Sequence, residues 1–99
     1  MRIAIVGYGK MGKLIRNESL AKGHHIAAVI DPLAQDSEVT ARTVDARTLD
    51  GCDVAIDFTH PDAVCDHIVL YARLGIPAVI GTTGWYNRLS ELKEATEGC

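Results

Sequence analysis

The stretch IAIVGYGKMG, residues 3–12, decides the fold. Its first four residues form an uninterrupted aliphatic run, which is typical of a parallel strand covered on both faces. The run ends at Gly7, and Gly7, Gly9 and Gly12 follow the pattern G-x-G-x-x-G. A helical pattern begins at Met11, so the glycines lie between a strand and a helix. In this context the pattern indicates a turn that binds a dinucleotide.

The rest of the chain alternates helical and strand patterns, without a repeat or a long linker. We expect a helix over 11–22, strands over 26–30 and 53–58, a helix from about 60 to 74, a strand over 77–80 and an amphipathic stretch over 85–95. The polar segment 33–51 contains at most a short strand near 43–44 and a turn of helix near 46–49. This order predicts an α/β fold, a Rossmann-like doubly wound parallel sheet with helices on both faces. Residues 1–99 would form one dinucleotide-binding domain.

Composition excludes several classes of function. The chain has 99 residues, 10 basic against 13 acidic side chains and a net charge of −3, which gives no electrostatic reason to bind nucleic acid or an anionic membrane. No apolar run approaches the length of a membrane span or a signal peptide. The three cysteines cannot all pair within the chain, and reduced thiols predict a cytoplasmic protein. No spacing of His, Cys and Asp suggests a metal site.

The glycine loop is the first candidate cofactor-binding segment. Gly7 permits the tight turn, Gly9 allows the backbone to approach a diphosphate, and Gly12 allows the helix to pack close to the sheet. The unpaired N–H groups and the positive end of the helix then face the phosphates. The segment predicted to bind cofactor comprises Gly7, Tyr8, Gly9, Lys10, Met11 and Gly12.

Asp31 is the second candidate, because it lies 19 residues after Gly12 and directly after the second strand. A carboxylate at this place accepts hydrogen bonds from the adenosine ribose and repels a 2′-phosphate. Pro32 follows it, and no arginine does. The sequence therefore predicts NAD(H) or NADP(H) as the cofactor, with NADH favoured, although Lys10 lies near enough to weaken the preference.

A third group of candidates lies where the later strands end. Phe58 and Thr59 end one strand, and Gly81, Thr82 and Thr83 follow the next. Ligands of open α/β sheets bind at the carboxyl ends of the strands, so these residues are predicted to contact the nicotinamide ribose and carboxamide.

The histidines are interpreted more conservatively. His24 and His25 are expected to be exposed in a loop, and His67 to be packed on the apolar face of its helix. His60 is predicted to lie at the start of a helix that is capped by the Thr59 hydroxyl. A contact between His60 and the cofactor is the second interpretation.

Three motifs resemble the amino-terminal, cofactor-binding part of the dihydrodipicolinate reductase family. They are residues 6–12, residues 56–61 with the sequence IDFTHP, and residues 75–85, which include GTTGW. The resemblance implies that the glycine loop binds the diphosphate, that Asp31 binds the adenosine ribose and that residues 81–83 lie against the nicotinamide. It also implies hydride transfer from NADH or NADPH to a cyclic dicarboxylic imine in lysine and diaminopimelate biosynthesis.

The chain departs from the family pattern in two ways. Its glycine loop is one residue shorter than the common form, and the family's paired histidine and lysine of a second domain have no counterpart. We therefore expect the chain to be the front part of a longer enzyme, with no catalytic residue of its own. The missing domain would bind most of the small-molecule substrate and would build the family's tetramer. The 99 residues alone should bind cofactor weakly and not turn over.

Two other functions fit the same residues. The chain is alternatively a non-catalytic NAD-sensing module, or the cofactor domain of another NAD-linked amino-acid dehydrogenase that shares the glycine loop and Asp31.

Overall fold

A computed structural model describes residues 1–81 of the chain, and the predicted stretch over 85–95 lies outside them. The described residues form a parallel sheet and two helices. In chain order the elements are β1 (Arg2–Val6), α1 (Lys10–Ala21), β2 (His25–Ile30), β3 (Val54–Asp57), α2 (Pro61–Leu74) and β4 (Ala78–Ile80). The predicted α/β fold is confirmed. Neither α1 nor α2 is long and apolar enough to span a bilayer.

The sheet has the strand order β2-β1-β3-β4, and every neighbouring pair is parallel. The chain moves in one direction from β1 to β2 and in the opposite direction from β3 to β4. Since such crossovers are right-handed, α1 and α2 must cover opposite faces of the sheet. The change of direction lies between β1 and β3, where ligands of open α/β sheets bind.

Two apolar layers, one on each face of the sheet, confirm the doubly wound arrangement. One layer contains α2 residue Tyr71 together with Ala4, Val6, Ala28, Ile30, Leu49 and Ala55. The opposite layer contains Ile15 of α1 packed against Ile3, Ile5, Tyr8 and Val29. Alternate residues of β1 thus enter opposite layers, as the period of a strand requires.

The helix ends agree with the sequence patterns except at one cap. Helix α1 is followed by Lys22 and by Gly23 with a φ of 84°, and α2 ends at Gly75 in the left-handed conformation. The prediction that the Thr59 hydroxyl caps α2 is wrong. His60 is the N-cap, and its Nδ1 accepts from the Asp62 N–H at 3.3 Å. The Thr59 hydroxyl instead donates to the Asp57 carboxylate.

The predicted short strand near 43–44 is also wrong. The only pairing of this segment in the described chain is an isolated parallel bridge between Ala41 and Ile30 of β2. The following residues form turns in which the Asp45 carboxylate accepts from the Thr48 N–H at 2.8 Å, and the Thr48 hydroxyl donates to the Thr43 carbonyl at 3.1 Å. Local side-chain bonds of this kind compete with strand pairing.

Candidate cofactor site

A cavity of about 630 Å³ opens at the carboxyl ends of β1, β2 and β3, at the change in strand direction. Four segments line it: the glycine loop, the end of β2, a part of the 33–51 loop, and the turn from β3 into α2. The lining residues from these segments are Val6, Gly7, Gly9, Ile30, Asp31, Pro32, Leu33, Arg42, Thr43, Val44, Phe58, Thr59, His60, Ala63, Asp66 and His67. Five of the predicted site residues therefore meet in one cavity.

The three glycines of the loop serve three different purposes. Gly7 has a φ of 90°, and a Cβ there would lie 3.0 Å from the Phe58 carbonyl carbon. A Cβ on Gly12 would overlap the Gly7 carbonyl oxygen, so only glycine lets α1 pack this close to the loop. At Gly9, by contrast, a Cβ would have no neighbour within 4 Å. The open space at Gly9 is therefore available to a ligand.

The start of α1 suits an anionic ligand. Gly9 is the N-cap, no side chain bonds the first N–H groups, and the first turn has no acidic residue. Helix starts with unpaired N–H groups bind phosphates readily. Together with the open space at Gly9, this end of α1 fits the diphosphate of a dinucleotide.

The remaining residues of the loop lie around the cavity without lining it. The Tyr8 side chain is buried in the apolar layer under α1, with 3% of its surface exposed. Lys10 and Met11 are exposed at the start of α1. Their predicted contacts with a cofactor stay predictions.

Asp31 is fixed in place by the backbone around it. Its Oδ2 accepts from the Tyr8 N–H at 2.7 Å, and its Oδ1 accepts from the N–H groups of Leu33 and Ala34 at 2.8 and 2.9 Å. Burial alone would raise the pKa of Asp31, but these donors and the nearby Arg42 lower it below its ordinary value. A carboxylate accepts about four hydrogen bonds. Asp31 is thus charged, oriented, and able to accept one more, as a ribose hydroxyl would require.

Arg42 is a cavity residue that the sequence analysis missed. Its guanidinium donates to the carbonyl oxygens of Asp31, at 3.1 Å, and of Ala34. No arginine directly follows Asp31 in the sequence, but the bridge between Ala41 and Ile30 brings Arg42, 11 residues later, next to Asp31. The cavity therefore has a cation beside the carboxylate, which the local sequence did not indicate.

Phe58 connects the glycine loop with the end of β4. Its N–H donates to the Val6 carbonyl at 2.8 Å, and the Gly81 N–H donates to the Asp57 carbonyl at 2.8 Å. A Cβ on Gly81 would overlap the Phe58 ring, so Gly81 allows this close approach. Thr82 and Thr83, also predicted to bind cofactor, lie outside the described residues.

A buried carboxylate beneath the cavity was also missed. Asp57, at the end of β3, has no exposed surface and accepts four hydrogen bonds. The donors are the Thr59 N–H at 2.9 Å, the Thr59 hydroxyl at 2.6 Å, His67 Nδ1 at 2.9 Å and the Tyr71 hydroxyl at 2.6 Å. Burial would raise the pKa of Asp57, but the His67, Thr59 and Tyr71 bonds lower it.

The surroundings that lower the pKa of Asp57 raise the pKa of Tyr71. Burial, followed by the negative charge of Asp57 and its hydrogen bond, raises the pKa of the Tyr71 hydroxyl. Tyr71 and His67 lie four residues apart on one face of α2, a spacing that could have drawn attention to them. Among the described residues, no group of three or more His, Cys, Asp and Glu side chains could bind a metal ion.

The sequence model of the family described as "Dihydrodipicolinate reductase, N-terminus" matches residues 1–98. The chain belongs to this family. The resemblance drawn from the three motifs is therefore confirmed. Members of the dihydrodipicolinate reductase family are reductases that use nicotinamide cofactors and serve lysine and diaminopimelate biosynthesis.

Individual relatives agree with the family assignment. The chain is 33% identical over 94 residues to the 4-hydroxy-tetrahydrodipicolinate reductase of Christiangramia forsetii, covering 95% of this chain and 36% of that protein. It is 31% identical over 98 residues to the enzyme of the same name from an Exiguobacterium species, covering 98% of this chain and 38% of that protein. The chain thus spans less than half the length of these relatives.

A solved structure shows the same fold. The dipicolinate-bound dihydrodipicolinate reductase from Paenisporosarcina sp. TG-14 superposes with a TM-score of 0.73 and 26% sequence identity, covering 96% of this chain and 42% of that one.

Proposed function

We propose that this chain is the nicotinamide-dinucleotide-binding part of a 4-hydroxy-tetrahydrodipicolinate reductase. One observation carries the proposal. Asp31 is far from Gly7 and Gly9 in the sequence, yet all three residues line a single cavity at the change in strand direction. Dinucleotides bind doubly wound sheets at this place and with these residue types.

Each part of the cavity suits one part of the dinucleotide. The start of α1, with open space at Gly9, binds the diphosphate. Asp31 accepts a hydrogen bond from the adenosine ribose. The nicotinamide half lies towards Phe58, Thr59 and Gly81, because these follow β3 and β4 on the other side of the glycine loop. Thr82 and Thr83, next in the sequence, keep their predicted contact with it.

The cofactor, when bound, supplies the hydride for reduction of a cyclic dicarboxylic imine. The residues of this chain bind and orient the dinucleotide and do not supply a proton. A second domain binds most of the substrate and builds a homotetramer. The described cysteines, Cys52 and Cys65, are free thiols, which agrees with a location in the cytoplasm.

NADH is the favoured cofactor in this proposal. The ionised Asp31 carboxylate repels a 2′-phosphate at the position of the ribose hydroxyl. Arg42 attracts the same phosphate, but one of its nitrogens already donates to two carbonyl oxygens. The arginine therefore narrows the preference for NADH without reversing it.

Titration of the 99-residue chain with NADH and NADPH, followed by calorimetry, tests the proposal. We expect weak but saturable binding of both, with the lower Kd for NADH. ADP-ribose, which lacks nicotinamide, should bind the same site and compete with NADH. Failure of the chain to bind any of the three would contradict the proposed function.

A further inference from the structure

His67 is a cavity residue for which the proposed function has no use. Its side chain is 18% exposed, and it lines the cavity from the second turn of α2. Its Nδ1 is directed at the buried Asp57, 2.9 Å from Oδ2. The opposite edge of the ring, which carries Nε2, is therefore the edge available to the cavity.

Asp57 determines which nitrogen of His67 carries the proton. An ionised carboxylate can only accept hydrogen bonds, so Nδ1 must be the donor. In a neutral imidazole the other nitrogen, Nε2, is then unprotonated and is an acceptor. None of the described residues donates a hydrogen bond to Nε2. A ligand that hydrogen-bonds to Nε2 of this neutral imidazole must offer an N–H or O–H group.

The surroundings of His67 suit a flat, largely apolar ring. The cavity lining includes the apolar residues Pro32, Leu33, Val44 and Ala63, together with the polar residues Arg42, Thr43, His60 and Asp66. Apolar walls with a few polar groups are typical of sites for planar ligands, and a guanidinium can stack on an aromatic face. Because Asp31 is the residue for the adenosine ribose, the ring that enters here is the adenine.

We propose that His67 Nε2 accepts a hydrogen bond from the exocyclic amino group of adenine, with Asp57 as the positioning residue that fixes the ring. The inference rests on the proposed function, because it assumes that the cavity binds a dinucleotide. It adds recognition of the base to the expected contacts with the diphosphate and ribose. Guanine and hypoxanthine, which carry a carbonyl oxygen where adenine carries the amino group, would be disfavoured.

The test compares NADH with reduced nicotinamide hypoxanthine dinucleotide, which differs only in the base. The unsubstituted chain should bind the hypoxanthine compound about threefold to tenfold more weakly, since an acceptor then faces Nε2. In His67→Asn the side-chain amide can still donate to Asp57 but has no group at the position of Nε2. We expect this variant to bind both compounds equally within about twofold.

Two further variants separate recognition from stability. His67→Gln places an amide oxygen near the position of Nε2, so it should restore a preference for NADH. Tyr71→Phe removes a different donor to Asp57 and lies outside the cavity lining, so it should lower stability and leave the preference unchanged. If His67→Asn does not fold, nitrogen-15 spectra of the unsubstituted chain replace it. The Nε2 resonance of His67 should then shift with NADH and not with the hypoxanthine compound.

The outcomes separate this inference from the proposed function. Equal affinity of the unsubstituted chain for the two compounds would overturn the adenine contact while leaving dinucleotide binding intact. So would a full preference for NADH in His67→Asn, or an Nε2 resonance that does not respond to NADH. Failure of the unsubstituted chain to bind NADH would overturn both proposals.

Discussion

At the scale of single residues, two carboxylates determine the chemistry of the cavity. Asp31 is partly exposed and fixed by three backbone donors, whereas Asp57 is fully buried and fixed by one backbone and three side-chain donors. Hydrogen bonds lower the pKa of both groups, although burial opposes this effect. Both are therefore anions at neutral pH, one available to a ligand and the other to the protein interior.

The first prediction concerns Asp31 and the choice of cofactor. Asp31→Ala removes the acceptor for the ribose and the charge that repels a 2′-phosphate. We expect NADH affinity to fall about tenfold, as for loss of a hydrogen bond to a charged group, and NADPH affinity to fall less. Calorimetric titration of both cofactors measures the change. An unaltered ratio of the two Kd values would show that Asp31 does not face the 2′ position.

The second prediction concerns Asp57 and acid stability. The pKa of Asp57 in the folded chain is below its ordinary value of 3.8, so on acidification the unfolded chain takes up this proton first. The stabilisation by the ionised group is complete above that ordinary value. It is lost as the pH falls below 3.8 towards the pKa of the folded chain.

Asp57→Asn tests this dependence by urea unfolding at a series of pH values. The variant should be less stable at neutral pH by about 1.5–3 kcal/mol. The Asn amide places an N–H group where the Asp57 carboxylate accepts hydrogen bonds, so two donors then face each other. It should also lose less stability than the unsubstituted chain on acidification. Parallel pH profiles for the two proteins would contradict the role assigned to Asp57.

The difference between these carboxylates shows what local sequence can and cannot predict. Asp31 was predictable because its position after β2 and its distance from Gly12 are fixed along the chain. The Asp57 network was not, since its donors on α2 become neighbours only when that helix packs on the sheet. Arg42 likewise lies near Asp31 only because the loop after β2 folds back and Ala41 pairs with Ile30. The sequence indicated which polar side chains lie near a strand end. It did not indicate which side chains from other elements contact them in the folded chain.

At the scale of elements, the connection from β1 to α1 determines how closely a ligand can approach. Gly12 faces the Gly7 carbonyl across this connection, whereas Gly9 faces open space. The packing role of Gly12 was predictable from the sequence pattern, because it depends on residues only five positions apart. The predicted contact of Gly9 with a diphosphate stays a prediction.

The third prediction uses these glycines as a matched pair. Gly12→Ala should destabilise the chain by about 1–3 kcal/mol, because its Cβ overlaps a backbone oxygen that cannot easily move. Gly9→Ala should leave the free energy of unfolding nearly unchanged and weaken NADH binding, since its methyl group occupies the space of the diphosphate. Urea unfolding and NADH titration of both variants provide the measurements. Normal NADH affinity in Gly9→Ala would place the diphosphate elsewhere.

At the scale of the whole molecule, the described residues form a cavity at the carboxyl ends of the sheet, and we propose that it binds the dinucleotide and supplies no proton. The chain covers 36% and 38% of two relatives named as 4-hydroxy-tetrahydrodipicolinate reductases, so most of each relative lies beyond the matched region. Binding of dinucleotide and reduction of substrate are then separate properties. In our proposal, the first belongs to this chain and the second needs the residues of a further domain.

The fourth prediction follows from this separation. The 99-residue chain, saturated with NADH, should not reduce the cyclic imine, as followed by the absorbance of the nicotinamide. A 4-hydroxy-tetrahydrodipicolinate reductase of full length, under the same conditions, provides the positive control. Turnover by the chain alone would show that it contains the groups we assign to a second domain.

The most direct test of the central claim is a crystal structure of the chain grown with NADH. Our account predicts the diphosphate at the start of α1 beside Gly9, and an adenosine ribose hydroxyl within hydrogen-bond distance of Asp31. A dinucleotide bound away from the glycine loop, or bound there with its ribose turned away from Asp31, would contradict it.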